Sequence, residues 1–210
     1  LEPAAEPTGM VLAGSFQGNA IGDYTGVSLN LSARHGDLEG SYPVTLWHDS
    51  EAAIAYGREI FGEAKKFGRC RIYRGHERHV ASAERGAAFI RLRAERLGPD
   101  RGRSESERTA FNYRSRTAAD GSGLDAPAQL VQTLFRSTVR SERIGVGSIE
   151  MRGTVNDPVD EIPILAVGEA AFVELDTYAS CQVAATVAPD EFLPYHYGRV
   201  ENWLALDTSR

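Results

Sequence analysis

Val27-Ser28-Leu29-Asn30-Leu31-Ser32, VSLNLS, alternates apolar and polar residues with a period of two. Successive side chains of an extended strand point to opposite faces, so the pattern predicts Val27, Leu29 and Leu31 on a core face and Ser28, Asn30 and Ser32 on a wet one. Similar alternating or continuous apolar runs recur outward from it, near 9–17, 41–48, 69–74, 78–84, 87–97, 109–116, 128–139, 144–154 and 164–187. So many strands predict a mostly β fold with a few short helices, closed as a barrel or sandwich. One helix is well marked: Asp49 or Ser50 can cap it, Glu51 sits in its first turn, and an apolar face from Ala52 to Ile60 runs to a Gly62 stop. A second short helix is expected near Ala188-Pro189-Asp190. The stretches 98–107 and 118–123 read as exposed loops rather than linkers, because strand-like sequence resumes on both sides. A single domain over 1–210 is expected.

Composition narrows the function. The net charge of −6 argues against a general polyanion binder. No apolar run approaches the roughly 18 residues a membrane-spanning helix needs. Cys70 and Cys181 are the only cysteines, with no metal-ligand spacing, so two free thiols in a reducing cytoplasm are expected. No signal peptide is read at Leu1. Between Arg69 and Arg116 there are 13 Arg and six acids, a local +7 that leaves −13 elsewhere. Arg91, Arg93 and Glu95 alternate with Ile90, Leu92 and Ala94, which favours the outer face of a strand over a nucleic-acid surface, and there is no aromatic interleaving of the sort that stacks bases.

The 21 Arg stand against only two Lys, the neighbours Lys65 and Lys66 in Gly62-Glu63-Ala64-Lys65-Lys66-Phe67-Gly68. One reading is a pair of solvated surface charges. The other is chemical: a neutral lysine amine adds to a carbonyl, which guanidinium cannot do, and it needs burial or a neighbouring cation to shed its proton. In an extended strand neighbours point to opposite faces, so desolvation matters as much as repulsion.

The run from Gly40-Ser41-Tyr42-Pro43-Val44 through Trp47-His48-Asp49-Ser50-Glu51-Ala52-Ala53-Ile54-Ala55-Tyr56-Gly57-Arg58-Glu59-Ile60 to Lys65-Lys66-Phe67-Gly68 resembles the signature of the acetoacetate decarboxylase superfamily. The resemblance implies a double-sheet β-barrel with a few helices, a homo-oligomer, and a Schiff-base lysine that works on a small keto acid with no cofactor or metal. By position Lys65 is the nucleophile and Lys66 its charged neighbour. The implied chemistry is decarboxylation of a β-keto acid through an iminium. The same lysine also supports aldol addition, dehydration or cyclisation on an α-keto acid or secondary metabolite. A non-catalytic small-molecule binding barrel stays open as a third reading.

The sequence departs from the family at telling places. The decarboxylases carry a glutamate after a Tyr-Thr-like pair, where this chain has Tyr24-Thr25-Gly26; a second, farther upstream, falls at Val11 or Leu12. Glu63 and Ala64 replace an aromatic residue and a proline. The family's N-terminal segment, with its pocket arginine, is expected upstream of Leu1. Glu63, two residues before Lys65, shares its face if the stretch is extended and can exchange protons with it; the alternative is a surface residue at a turn. Glu59 reads as half of an ion pair with Arg58 or as a substrate contact. Gln17 and Tyr24 on early strands are further substrate-binding candidates, against ordinary barrel lining. His76 and His79 are spaced for a metal on a helix, but the region reads as strand and no third ligand is evident, so no metal is expected.

Overall fold

The computed structural model describes residues 1–6 and 8–199. The chain is mostly β, and its strands are β1 (Glu2–Pro3), β2 (Gly9–Phe16), β3 (Tyr24–His35), β4 (Leu38–His48), β5 (Lys65–Phe67), β6 (Arg69–Arg74), β7 (Arg78–Arg85), β8 (Ala88–Glu95), β9 (Ser104–Arg114), β10 (Ala128–Arg152) and β11 (Glu169–Val187). Two short α-helices, α1 (Glu51–Tyr56) and α2 (Pro189–His196), accompany them.

β2, β3 and β4 form an antiparallel unit, β5 joins β4 in parallel, and β6, β7 and β8 form a second antiparallel unit. β10 joins the two. Residues 129–139 pair with β9, residues 146–152 with β8, and β11 runs along most of its opposite edge. The expected double sheet is therefore hydrogen-bonded into one continuous system through a shared strand, and β6 packs back against β3 and β4.

The expected gap between 139 and 144 is absent. A register shift between Val139 and Ser141 bends β10 without ending it. The 96–101 loop fills the space left between β9 and β8: Gly98 N donates to Ile144 O at 2.9 Å, and the Asp100 carboxylate accepts from Glu142 N at 3.1 Å. The expected 98–107 loop is likewise shorter, because Glu107 and Glu105 meet Arg136 and Thr138 across the strand pair and extend β9 back to Ser104.

β3 corrects the two-face reading of VSLNLS. Residues 26–30 are buried without interruption, so the polar alternates face a second interior rather than water. Val27 packs with Trp47, Cys70, Ala83, Ile90 and Val159 in the main core, joined by Val11 and Ala13 from β2. On the other face Asn30 Nδ2 donates to Ser28 Oγ at 2.8 Å, so each polar group has its partner inside. That second face carries the site.

Candidate active site

Register decides which side chains meet. Gly26 pairs with His48 and Val27 with Trp47 across β3 and β4, while Leu46 is level with Lys65 and Trp47 with Lys66 across β4 and β5. Lys65 thus shares the Gly26 and His48 face, and Lys66 shares the Val27 and Trp47 face. Both lysines are buried, at 7% and 8% exposure, which overturns the surface-charge reading.

The link before β5 is shaped for this. Ser50, not Asp49, caps α1, its hydroxyl accepting from Ala53 N; Asp49 instead ties β4 to β3 by accepting from Thr25 N at 2.7 Å. The helix then widens into a π-turn over Gly57–Phe61, closed by Gly62 in the left-handed conformation at φ 71°. Arg58 Nε donates to Lys65 O at 2.7 Å, holding the lysine's backbone from the π-turn. Gly57 supplies space. A β-carbon there would fall 2.6 Å from both Glu63 Oε2 and Lys65 Cδ.

Lys65 Nζ lies 2.8 Å from Glu63 Oε2. That carboxylate oxygen is sealed from solvent and the contact is a close ion pair rather than a well-directed hydrogen bond. Nζ also stands 5.7 Å from the centroid of the Tyr24 ring. Tyr24 stacks on Phe16 at 4.7 Å and lies 5.5 Å from the His48 ring. Burial, with the Glu63 charge adding, pushes the Tyr24 hydroxyl up to about 12. Burial, with the Lys65 ammonium adding, pushes the His48 imidazole down to about 3. Both rings are therefore neutral at ordinary pH.

Lys66 reaches the other way. Its ammonium donates to Asp157 Oδ1 at 2.9 Å and to Asn156 O at 2.8 Å. Arg85 Nε donates to Asp157 Oδ2 at 3.0 Å and Trp47 Nε1 to Oδ1 at 3.4 Å, so two cations and an indole converge on one carboxylate at 4% exposure. The charge of Lys66 is spent on Asp157 across the sheet from Lys65.

Of the other expected site residues, Glu63 and Tyr24 join Lys65, whereas Gln17 and Glu59 do not. Gln17 is exposed where the chain leaves β2, and Glu59 is on the exposed side of the π-turn; neither bonds a lysine. Sequence reasoning missed His48 and Asp157. His48 was visible as a polar residue ending an apolar strand opposite Gly26; Asp157, in the irregular stretch after β10, gave no local signal. His79 lies on β7 and stacks on Phe172 with ring centroids 4.3 Å apart. A cavity of about 340 Å³ between β4 and the α2 end of the fold has Tyr42, Val44, Leu46, Ala64, Lys66 and Tyr195 among its walls; Lys66 rather than Lys65 lines it.

The acetoacetate decarboxylase family model matches residues 1–187. The chain belongs to that family. An acetoacetate decarboxylase of Streptomyces nogalater is 27% identical over 162 residues, a stretch that takes in 74% of this chain and 66% of that protein, just under two thirds of its length. Among solved structures, the acetoacetate decarboxylase of Legionella pneumophila superposes with a TM-score of 0.66 at 22% identity, covering 79% of this chain and 68% of that one. The enduracididine biosynthesis enzyme MppR complexed with pyruvate superposes with a TM-score of 0.60 at 9% identity, covering 78% of this chain and 67% of that one. These neighbours share the family's fold, β-rich with few helices. No helix among the described residues is long and apolar enough to cross a membrane.

Proposed function

We propose that the chain is a lysine Schiff-base lyase that decarboxylates a β-keto acid through an iminium at Lys65. The observation that carries this reading is the Lys65 amine, buried beneath an aromatic ring with a carboxylate 2.8 Å away. Glu63 takes the proton from the Lys65 ammonium and the freed amine adds to the keto carbon. Glu63 returns the proton as the oxygen leaves as water. The iminium then receives the electron pair of the bond to the carboxylate, CO2 departs, and an enamine remains. Protonation at carbon and hydrolysis release the ketone and restore Lys65. The stacked Phe16 and Tyr24 rings keep water from the iminium.

Aldol addition and dehydration on an α-keto acid form the second reading, favoured by Gly26 where the family's decarboxylases carry a glutamate and by MppR, whose structure holds pyruvate. Both readings place the covalent bond on Lys65, and Lys66 becomes an anchor of β5 rather than a partner in the chemistry. A homo-oligomer in the cytoplasm follows from the family resemblance and the unpaired thiols, and exposed Leu175, Tyr178 and Val183 on β11 offer a surface for assembly. Borohydride trapping with a panel of β-keto and α-keto acids, read by intact mass and peptide mapping, tests the site. An adduct on Lys65, absent in Lys65→Ala, is the expected result, and its mass reports whether CO2 was lost. A folded parent that yields no adduct with any acid of the panel overturns the reading in favour of a binding barrel.

A further inference from the structure

His48 is the titratable group of this site to which the lysine chemistry assigns no task. It ends β4 on the face of Leu46, and Leu46 is level with Lys65, so imidazole and amine lie on one face of two adjoining parallel strands. Its ring sits against the backbone of Gly26. A β-carbon at that position would fall 2.5 Å from both Cδ2 and Nε2 of His48, so no side chain fits there while the imidazole keeps its place. The volume beside Gly26, where the decarboxylases of the family carry a carboxylate, is filled here by an imidazole delivered from the neighbouring strand.

The surroundings of the ring are those of a site. Tyr24 and Phe16 stand 5.5 and 6.3 Å away, and the residue is 4% exposed. Nδ1 is sealed from solvent and has no hydrogen-bond partner among the described residues. Buried polar nitrogens are almost always partnered, and one left open beside a reactive amine calls for a partner that arrives with the substrate.

The geometry points to His48 as a catalytic residue that donates its ring N–H to the keto oxygen of the substrate while Lys65 adds to the keto carbon. As the bond from Nζ to carbon forms, the carbonyl π pair moves onto oxygen, where the imidazole N–H holds it. A proton passes from nitrogen to that oxygen, and the hydroxyl then leaves as water with the proton Glu63 took from the Lys65 ammonium, giving the iminium. His48 keeps its own proton throughout. Burial and the Lys65 charge hold the ring neutral, so it acts as a neutral donor rather than as an imidazolium acid. This rests on the Schiff-base reading of Lys65 and adds to it the group that polarises the carbonyl.

The test is the rate of borohydride-trapped adduct on Lys65, with acetoacetate and pyruvate as probes, in the parent, His48→Leu, His48→Gln and Gly26→Ala, each checked by thermal melting. Leucine fills the site without an N–H, glutamine restores a donor, and alanine at position 26 displaces an intact imidazole. Trapping is expected to slow about 100-fold or more in His48→Leu and Gly26→Ala, the usual effect of losing one such donor. Glutamine is expected to recover at least a tenth of the parental rate. A parental rate in His48→Leu, or equal slowing by leucine and glutamine, overturns the assignment while leaving Lys65 in place. If the leucine variant does not fold, His48→Gln against Gly26→Ala decides by the same criterion. A folded parent that traps neither probe nor any other acid of the panel removes the lysine reading and this inference with it.

Discussion

Replacing Asp157 with alanine takes away the carboxylate on which Lys66, Arg85 and Trp47 converge. Lys66 is buried, its side chain 9% exposed, so without the carboxylate its ammonium keeps the Asn156 carbonyl but no counter-charge. Arg85, at 21%, keeps partial access to solvent and donates also to Phe67 O, so its share of the loss is discounted. Breaking a buried pair from one side costs about 3–5 kcal/mol, because a charge is left without its partner. For a chain of this size that lowers the melting temperature by roughly 6–20 °C. Lys66→Met leaves Asp157 with Arg85 and is expected to cost less, about 1–3 kcal/mol. Because Lys66 faces away from Lys65, the methionine variant should still form the Lys65 adduct at a rate within a few-fold of the parent. Urea unfolding at pH 7, with adduct formation on the same samples, reads both quantities. A loss under about 1 kcal/mol in Asp157→Ala would refute the buried-triad argument. A folded Lys66→Met that forms no adduct would return Lys66 to the chemistry.

Two further outcomes follow from the geometry. The His48 imidazole sits at about 3 in the folded chain against 6.5 when free, so acid protonates the unfolded chain first. The stability linked to this depressed group is present above 6.5 and is lost as pH falls toward 3. The parent is expected to lose about 2 kcal/mol relative to His48→Leu between pH 7 and pH 5, and parallel pH curves in urea titrations would contradict it. Gly57→Ala places a β-carbon 2.6 Å from Lys65 Cδ and Glu63 Oε2 and should push the ion pair apart, lowering the Lys65 adduct rate at least tenfold with the fold retained; a parental rate in that variant counts against the packed pair.

The strands, the capped helix and the lysine pair were legible because each is written in local pattern: period two, a hydroxyl before an acidic first turn, two amines in an arginine-rich chain. Glu63 was legible through its spacing from Lys65. The use of the faces was not. VSLNLS reads as a half-wet strand, and only the closure of β2 and β4 on either side of β3 shows that Ser28 and Asn30 are interior. Lys66 follows the alternation rule, yet its partner lies 91 residues away in a coil that carries no periodic signal. His48 stood in view in Trp47-His48-Asp49; its meaning came from Gly26 opposite, a long-range pairing that a missing side chain makes possible.

The long separation between Lys66 and Asp157 bears on how the molecule assembles. Trp47 and Asp157 are 110 residues apart, and β10, which leads to that aspartate, pairs with β9, β8 and β11 on the way. Contacts of such span close slowly, since the loop entropy is spent before the pairing returns anything. Until they close, Lys66 has no carboxylate to follow into the core, whereas Lys65 has its own in Glu63, two residues away. An incompletely folded chain, with Asp157 not yet in place, carries Lys66 as an ordinary hydrated lysine.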